Sequence, residues 1–165
     1  MRRPLVLTGG PAVGKTTCGR ALAGERPRAA FVDVDDVRQL VVSGAAAPWA
    51  GVEGRDQHGL GVRNASALAS NFLRAGFDVV IADVLSPETA RIYREALPGC
   101  LVVHLQISLA GAQRRAATRT VYLTTDEFEA LHRADAESPP ESDVVLPVDG
   151  LTVEEQLSAL RALWR

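Results

Sequence analysis

Pro4-Leu5-Val6-Leu7-Thr8-Gly9-Gly10-Pro11-Ala12-Val13-Gly14-Lys15-Thr16 decides how the rest of the chain is read. A short apolar strand runs into a glycine loop, and Gly9 to Thr16 matches G-x-x-x-x-G-K-[ST] in full. The glycines let the backbone curl so that its N–H groups point at phosphate oxygens. Lys15 reaches the outer phosphates, and the Thr16 hydroxyl is a ligand for Mg²⁺. A helix starting at the lysine aims the positive end of its dipole at the same anion. Lys15 is the only lysine, set against seventeen arginines. The position needs a compact ammonium on a thin stem, which the planar guanidinium fork does not supply.

Outward from the loop, strands and helices alternate. After Pro4–Thr8, a helix is expected from Lys15 to Ala23 and a strand over Ala30–Asp33. A helix over Asp35–Val42 follows. Residues 43–61, rich in Gly and Ala with Pro48 and Trp49, read as a loop or lid. A helix over Arg63–Ala75 leads to a buried strand over Phe77–Asp83. Pro87 opens the next helix, a favoured first-turn position, and Pro98-Gly99 closes it. Leu101–Ile107 is a strand, and Leu109–Thr118 and Thr125–Ala134 are helices. Val144–Val148 is the last strand. Thr152 and Glu155 form a capping box for a final helix carrying Leu157, Leu160 and Leu163 on one face. Five apolar strands alternating with helices give an α/β fold with a mainly parallel sheet, a single domain over 1–165.

Carboxylates gather at the strand ends, the rim where ligands sit in a parallel sheet. Asp33-Val34-Asp35-Asp36 follows the second strand. One of these acids is expected to cap the helix; the others are placed to hold Mg²⁺ or to take a proton from an attacking hydroxyl. Asp83 closes the third strand after four apolar residues and is a candidate for metal or acceptor contact. Arg115 and Arg119, four apart on a helix, share a face from which they can lie on an adenine and clamp a phosphoryl group.

The balance of the chain sets bounds. A net charge of −2 carries no basic stripe, which argues against a nucleic-acid partner. No apolar run has membrane-spanning length. Met1-Arg2-Arg3-Pro4 leads directly into the loop strand and does not read as a signal peptide. Cys18 and Cys100 have no metal or redox spacing and read as buried reduced thiols. A cytoplasmic protein is the expectation.

Taken together, Gly9–Thr16, the Asp33-x-Asp35 pair with Arg38 one turn on, Asp83, and the Arg115/Arg119 pair resemble the small P-loop kinases. These include shikimate kinase, gluconate kinase, adenylyl-sulfate kinase and, nearest in character, the chloramphenicol phosphotransferase-like enzymes. The resemblance implies a three-layer P-loop NTPase sandwich, a five-stranded parallel sheet in 2-3-1-4-5 order with helices on both faces, and a mobile lid at about 115–130. It implies ATP and Mg²⁺, with transfer of the γ-phosphoryl to a small-molecule hydroxyl. Gly9, Gly10, Pro11, Ala12, Val13, Gly14, Lys15, Thr16 and Thr17 would hold the phosphates, and Thr16 and Asp33 the metal. Asp35 would be the base or orient the acceptor, Arg38 would contact the acceptor, Arg115 would lie against the adenine, and Arg119 would be the lid arginine. Asp149-Gly150-Leu151 matches the segment that wraps the adenine, with Gly150 at its centre. Which of Asp33, Asp35 and Asp83 is the base stays open.

Two features depart from relatives. After Asp83 the chain reads Val84-Leu85-Ser86 with no Gly-Gly-Gly run, unlike shikimate kinase. The lid is poor in arginine, unlike nucleotide kinases.

Residues 43–64 should line the acceptor pocket, with Trp49, Arg55, Asp56, Gln57, His58, Arg63 and Asn64 as its aromatic and polar members. Arg55 and Arg63 permit an anionic acceptor; Trp49 permits an aromatic or sugar one. His58 is a loop histidine without an assigned role, His104 a satisfied core residue and His132 a surface one. A regulatory nucleotide-hydrolysing switch is the competing class, but the Asn-Lys-x-Asp guanine motif cannot exist here, because Lys15 is the only lysine.

Overall fold

The computed structural model describes residues 3–165; Met1 and Arg2, part of the N-terminal reading above, lie outside the described residues. The elements in order are β1 (Leu5–Thr8), α1 (Lys15–Gly24), β2 (Ala29–Asp33), α2 (Val34–Arg38), α3 (Gly51–Arg74), β3 (Asp78–Ala82), α4 (Pro87–Ala96), β4 (Leu101–Gln106), α5 (Leu109–Ala116), α6 (Thr125–Glu137), β5 (Val144–Pro147) and α7 (Val153–Leu163). The strands form one sheet in the order β2-β3-β1-β4-β5, every neighbouring pair parallel.

Side chains alternate across a strand, so each strand feeds both faces of the sheet. Val6, Val79, Ile81 and Val102 point to one face, where they pack with Val62 and Ala65 of α3 and Tyr93 of α4. Leu5, Leu7, Val80, Val103 and Leu105 point to the other, against Leu22 of α1 and Leu157 and Leu160 of α7. Helices on both faces explain why these strands read as continuous apolar runs rather than alternating ones.

Two boundaries differ from the sequence reading by more than three residues. α2 stops at Arg38, not Val42; Leu40 and Val41 make only tight turn bonds back to Val37 and Arg38. The larger change is α3, which begins at Gly51 rather than Arg63 and turns half of the expected loop into helix. Its first half carries Gly51, Gly54, Gly59 and Gly61, each costing about 1 kcal/mol of helix propensity relative to Ala. Packing requires two of them. A Cβ on Gly54 would collide with the Ala47 carbonyl, and one on Gly61 would sit 3.1 Å from the Arg38 side chain. The low propensity that suggested a loop is the consequence of close approach by the 44–50 segment and by Arg38.

No helix among the described residues is long and apolar enough to cross a membrane. Cys18 and Cys100 are free and buried.

Candidate active site

The glycine loop joins β1 to α1 as the sequence reading expected. Gly9 and Gly14 take φ of 140° and 105°, and a Cβ on Gly9 would collide with the Leu105 carbonyl of β4. Ala12 also has positive φ, 64°. That conformation costs a non-glycine residue roughly 1 kcal/mol. Its buried methyl packs with Ala112 of α5 and Phe128 of α6, which offsets the cost.

Lys15 Nζ donates to the Gly9 and Gly10 carbonyls at 2.7 and 2.8 Å, which holds the ammonium across its own loop. Loss of water lowers its pKa from 10.5 to about 8, although Asp35, Asp83 and Asp135 pull in the opposite direction. Arg119, exposed beyond α5, is close enough to Lys15 to lower it further.

Thr16 Oγ1 donates to Asp33 Oδ2 at 3.0 Å, and Asp33 Oδ1 accepts from the Asp35 amide at 3.1 Å as the cap of α2. Asp33 is thus both the expected cap and the partner of the loop threonine. Among the described residues no group of three or more His, Cys, Asp and Glu side chains is placed to hold a metal ion. One hydroxyl and one carboxylate suit an ion such as Mg²⁺, whose other ligands are phosphate oxygens and water.

Beyond Asp33 runs a chain of charges. Arg38 donates to exposed Asp35 at 3.1 Å and to buried Asp83 at 2.7 Å. Asp83 also accepts from the Tyr93 hydroxyl at 2.9 Å and from the Val84 amide at 2.8 Å. Its side chain has no exposed surface, so the expected metal or acceptor contact is corrected: Asp83 anchors Arg38. Burial pushes its carboxyl upward, and Arg38 opposes that shift. Burial also works against the Arg38 charge, but the Asp83 carboxylate overrides it and raises the guanidinium pKa.

Arg38 forms one wall of a cleft of about 500 Å³ between the 39–48 segment and α3. Gln57, His58, Leu60, Gly61 and Asn64 form the α3 wall, and Val37, Val41, Ala45, Ala46, Ala47 and Pro48 contribute apolar surface. The α3 residues follow helical spacing, which puts 57, 61 and 64 on one face. Trp49 and Arg55, expected at the acceptor, do not line it. Trp49 is exposed at the end of the loop. Arg55 is exposed on the first half of α3. His58 is not a loop residue: its Nε2 donates to the Val84 carbonyl at 2.9 Å, and burial lowers its pKa.

Arg115 ties distant loops together. Its guanidinium donates to the carbonyls of Val13 at 2.9 Å, Val148 at 2.7 Å and Leu151 at 3.2 Å, linking the phosphate loop to the segment around Gly150. Gly150 turns that segment with φ of 72°. Asp149 beside it accepts from Ser108 at the start of α5. Thr17 is exposed in the first turn of α1.

One group was missed. His132, expected at the surface, is buried; its ring packs under Gly10, and Nε2 donates to the Pro11 carbonyl at 2.9 Å. The available signal was the four-residue spacing of Phe128 and His132, whose rings lie 4.9 Å apart on one face of α6. His104, the expected core histidine, pairs with Asp135 at 2.8 Å.

No family model and no curated protein sequence matches the chain. Solved structures do. A sugar kinase from Janibacter sp. HTCC2649, solved without ligand, has 20% identity over 99% of this chain and 94% of its own, with a TM-score of 0.74. Shikimate kinase from Bacteroides thetaiotaomicron has 19% identity over 98% and 97%, with a TM-score of 0.68. The fold is that of the small P-loop kinases. The tunicamycin resistance protein of Deinococcus radiodurans has the same P-loop kinase-like architecture, with 14% identity over 98% and 95% and a TM-score of 0.68. At such identities the likeness speaks for the P-loop kinase fold and for nothing finer.

Proposed function

We propose that this chain transfers the γ-phosphoryl group of ATP to a hydroxyl of a small molecule, as a cytoplasmic phosphotransferase. One observation carries the reading. The phosphate loop with Lys15, the Thr16–Asp33 pair, and the Asp35–Arg38–Asp83 chain beside a cleft all follow the carboxyl ends of β1, β2 and β3. A switch protein needs the first two; the cleft with a carboxylate at its side suits an acceptor.

In this reading the backbone N–H groups of Gly9–Thr16 and the Lys15 ammonium bind the phosphates, and Arg119 closes over them from the 115–130 lid. The Arg115 tie holds the Gly150 segment against the nucleotide base. Thr16 and Asp33 would hold Mg²⁺, which when bound neutralises and orients the β and γ oxygens. Asp35 takes the proton of the acceptor hydroxyl as its oxygen bonds to the γ-phosphorus and the bond to the ADP oxygen breaks. Arg38, fixed by Asp83, positions Asp35 and the acceptor. Most of the rate then comes from placement and charge stabilisation.

ADP release measured over a panel of alcohols, sugars and nucleosides tests this. Asp35→Asn should lower turnover on any accepted alcohol by about 10²- to 10⁴-fold while nucleotide affinity persists. Unchanged turnover would remove Asp35 from the chemistry.

A further inference from the structure

We infer that the ligand of the α2–α3 cleft is an uncharged alcohol with an apolar body, and that the site selects against anions. That this ligand is a phosphate acceptor rests on the reading above; its charge class does not.

Charge is the first argument. Among the described residues lining the cleft, Arg38 is the only arginine or lysine. It is already neutralised by Asp83 at 2.7 Å, and Asp35 adds a second negative charge at 3.1 Å. Arg38, Asp83 and Asp35 together carry −1, and the Lys15 ammonium, which feels both carboxylates, is held away by the Gly9 and Gly10 carbonyls. Carboxylates and phosphates are gripped by two parallel N–H groups on one edge of a guanidinium. No edge here offers two nitrogens that are both exposed and free of a carboxylate. One terminal nitrogen serves Asp83, the other serves Asp35, and Nε is buried without a partner. If Asp35 swings toward a hydroxyl, Asp83 still cancels the charge.

The two arginines of α3 expected near the acceptor add no cation to the lining. Neither Arg55 nor Arg63 is among the lining residues, and Arg63 lies along α3 beside Gly59, which also faces Ile92 of α4. His58, the other titratable group on the wall, donates to the Val84 carbonyl, and burial keeps it neutral near pH 7.

Apolar surface is the second argument. Valine, alanine, proline and leucine side chains make up much of the lining. Along the bordering segments, Leu40, Val42, Trp49 and Val52 are each more than half exposed. Grouped exposure of large apolar side chains beside a cleft marks a surface that a ligand covers. The side-chain amides of Gln57 and Asn64 supply neutral polar contacts of the kind that orient hydroxyl groups.

Matched probes separate charge from shape. Phenyl β-glucoside and phenyl β-glucuronide differ only in CH₂OH against carboxylate, and methyl β-glucoside removes the aromatic body. Calorimetry at up to about 10 mM, with amide shifts followed at Gln57, His58 and Gly61, measures binding without any phosphoryl transfer. Phenyl glucoside should bind on the order of tenfold more tightly than the glucuronide and than methyl glucoside, and should shift those amides. Gln39→Lys, which adds an unpaired cation to the wall at a position with no assigned ligand contact, should raise glucuronide affinity on the order of tenfold and leave the glucoside unchanged. Glucuronide binding equal to or tighter than the glucoside in the parent chain overturns the inference, as does failure of every uncharged probe to bind. Concentration-dependent broadening confined to residues 40–52 without ligand would show a second copy of the chain covering the rim and would overturn the apolar-body half. ADP release with the same probes is scored separately. A glucoside that binds without being phosphorylated counts against the kinase reading and leaves the charge class standing.

Discussion

Gly10 takes an ordinary backbone conformation, so its lack of a side chain has a steric reason. A Cβ there would lie 2.7 Å from the His132 ring. His132 in turn holds the Pro11 carbonyl, so two loop residues depend on one side chain of α6. Gly10→Ala should therefore destabilise the fold by about 1–3 kcal/mol in the parent chain, as overpacking does. In a His132→Ala background the same change should cost little. Urea unfolding of the four variants measures the coupling, and additive effects would disprove the contact. The Gly9–Thr16 motif was legible in the sequence because its constraints are local. The reason for Gly10 was not, because it comes from a helix more than a hundred positions away.

At the scale of elements, the phosphate loop is gripped by the two helices that flank the expected lid. Arg115 of α5 bonds the Val13 carbonyl, His132 of α6 bonds the Pro11 carbonyl, and the Ala12 methyl packs between Ala112 and Phe128. Three consecutive loop residues thus report to α5 and α6. On the other side, α3 supports Arg38 through the space left by Gly61. Gly61→Ala gains helix propensity and presses on the Arg38 stem, so thermal stability should stay nearly level while the Michaelis constant for an accepted alcohol rises severalfold. An unchanged constant would show that Arg38 does not depend on that space. The early start of α3 escaped the sequence reading for the same reason. Glycines at 51, 54, 59 and 61 look like a loop until the segments that pack onto them are known. By contrast the capping boxes at Thr124 and Thr152, the latter read from its Thr-x-x-Glu spacing, are local features.

Across the whole molecule, strand count and parallel pairing followed from apolar runs separated by helices. The 2-3-1-4-5 order came from the resemblance and is the order observed. What the sequence could not supply was the pairing of charges. Asp83 and Arg38 are 45 positions apart, and nothing in the spacing told that the carboxylate would be sealed behind the arginine. Buried histidines give the fold a global acid sensitivity. Burial lowers the pKa of both His58 and His132, so each binds a proton less readily folded than unfolded. Their contribution is fully present above the unfolded value of about 6.5 and is lost as pH falls through the lower folded values. Asp143, whose carboxyl sits below the usual range despite its partial burial because the Val102 amide and Arg94 hold it, acts only at still lower pH. Unfolding free energy should therefore decline as pH drops below about 6.5, and His132→Gln should flatten that decline. Because the raised Asp83 carboxyl works in the opposite direction, the comparison decides: parent and His132→Gln curves of equal slope between about pH 6.5 and 5 would contradict the burial of that ring.

Mass spectrometry of the products after incubation with ATP, Mg²⁺ and the alcohol panel tests phosphoryl transfer at the loop most directly. One phosphate should appear on an alcohol oxygen with the parent chain. Lys15→Ala should lose that product, with nucleotide binding weakened by about ten- to a hundredfold as a charge-assisted contact is removed. Inorganic phosphate as the only phosphoryl product, or an equal yield of phosphorylated alcohol from Lys15→Ala, would contradict the assignment.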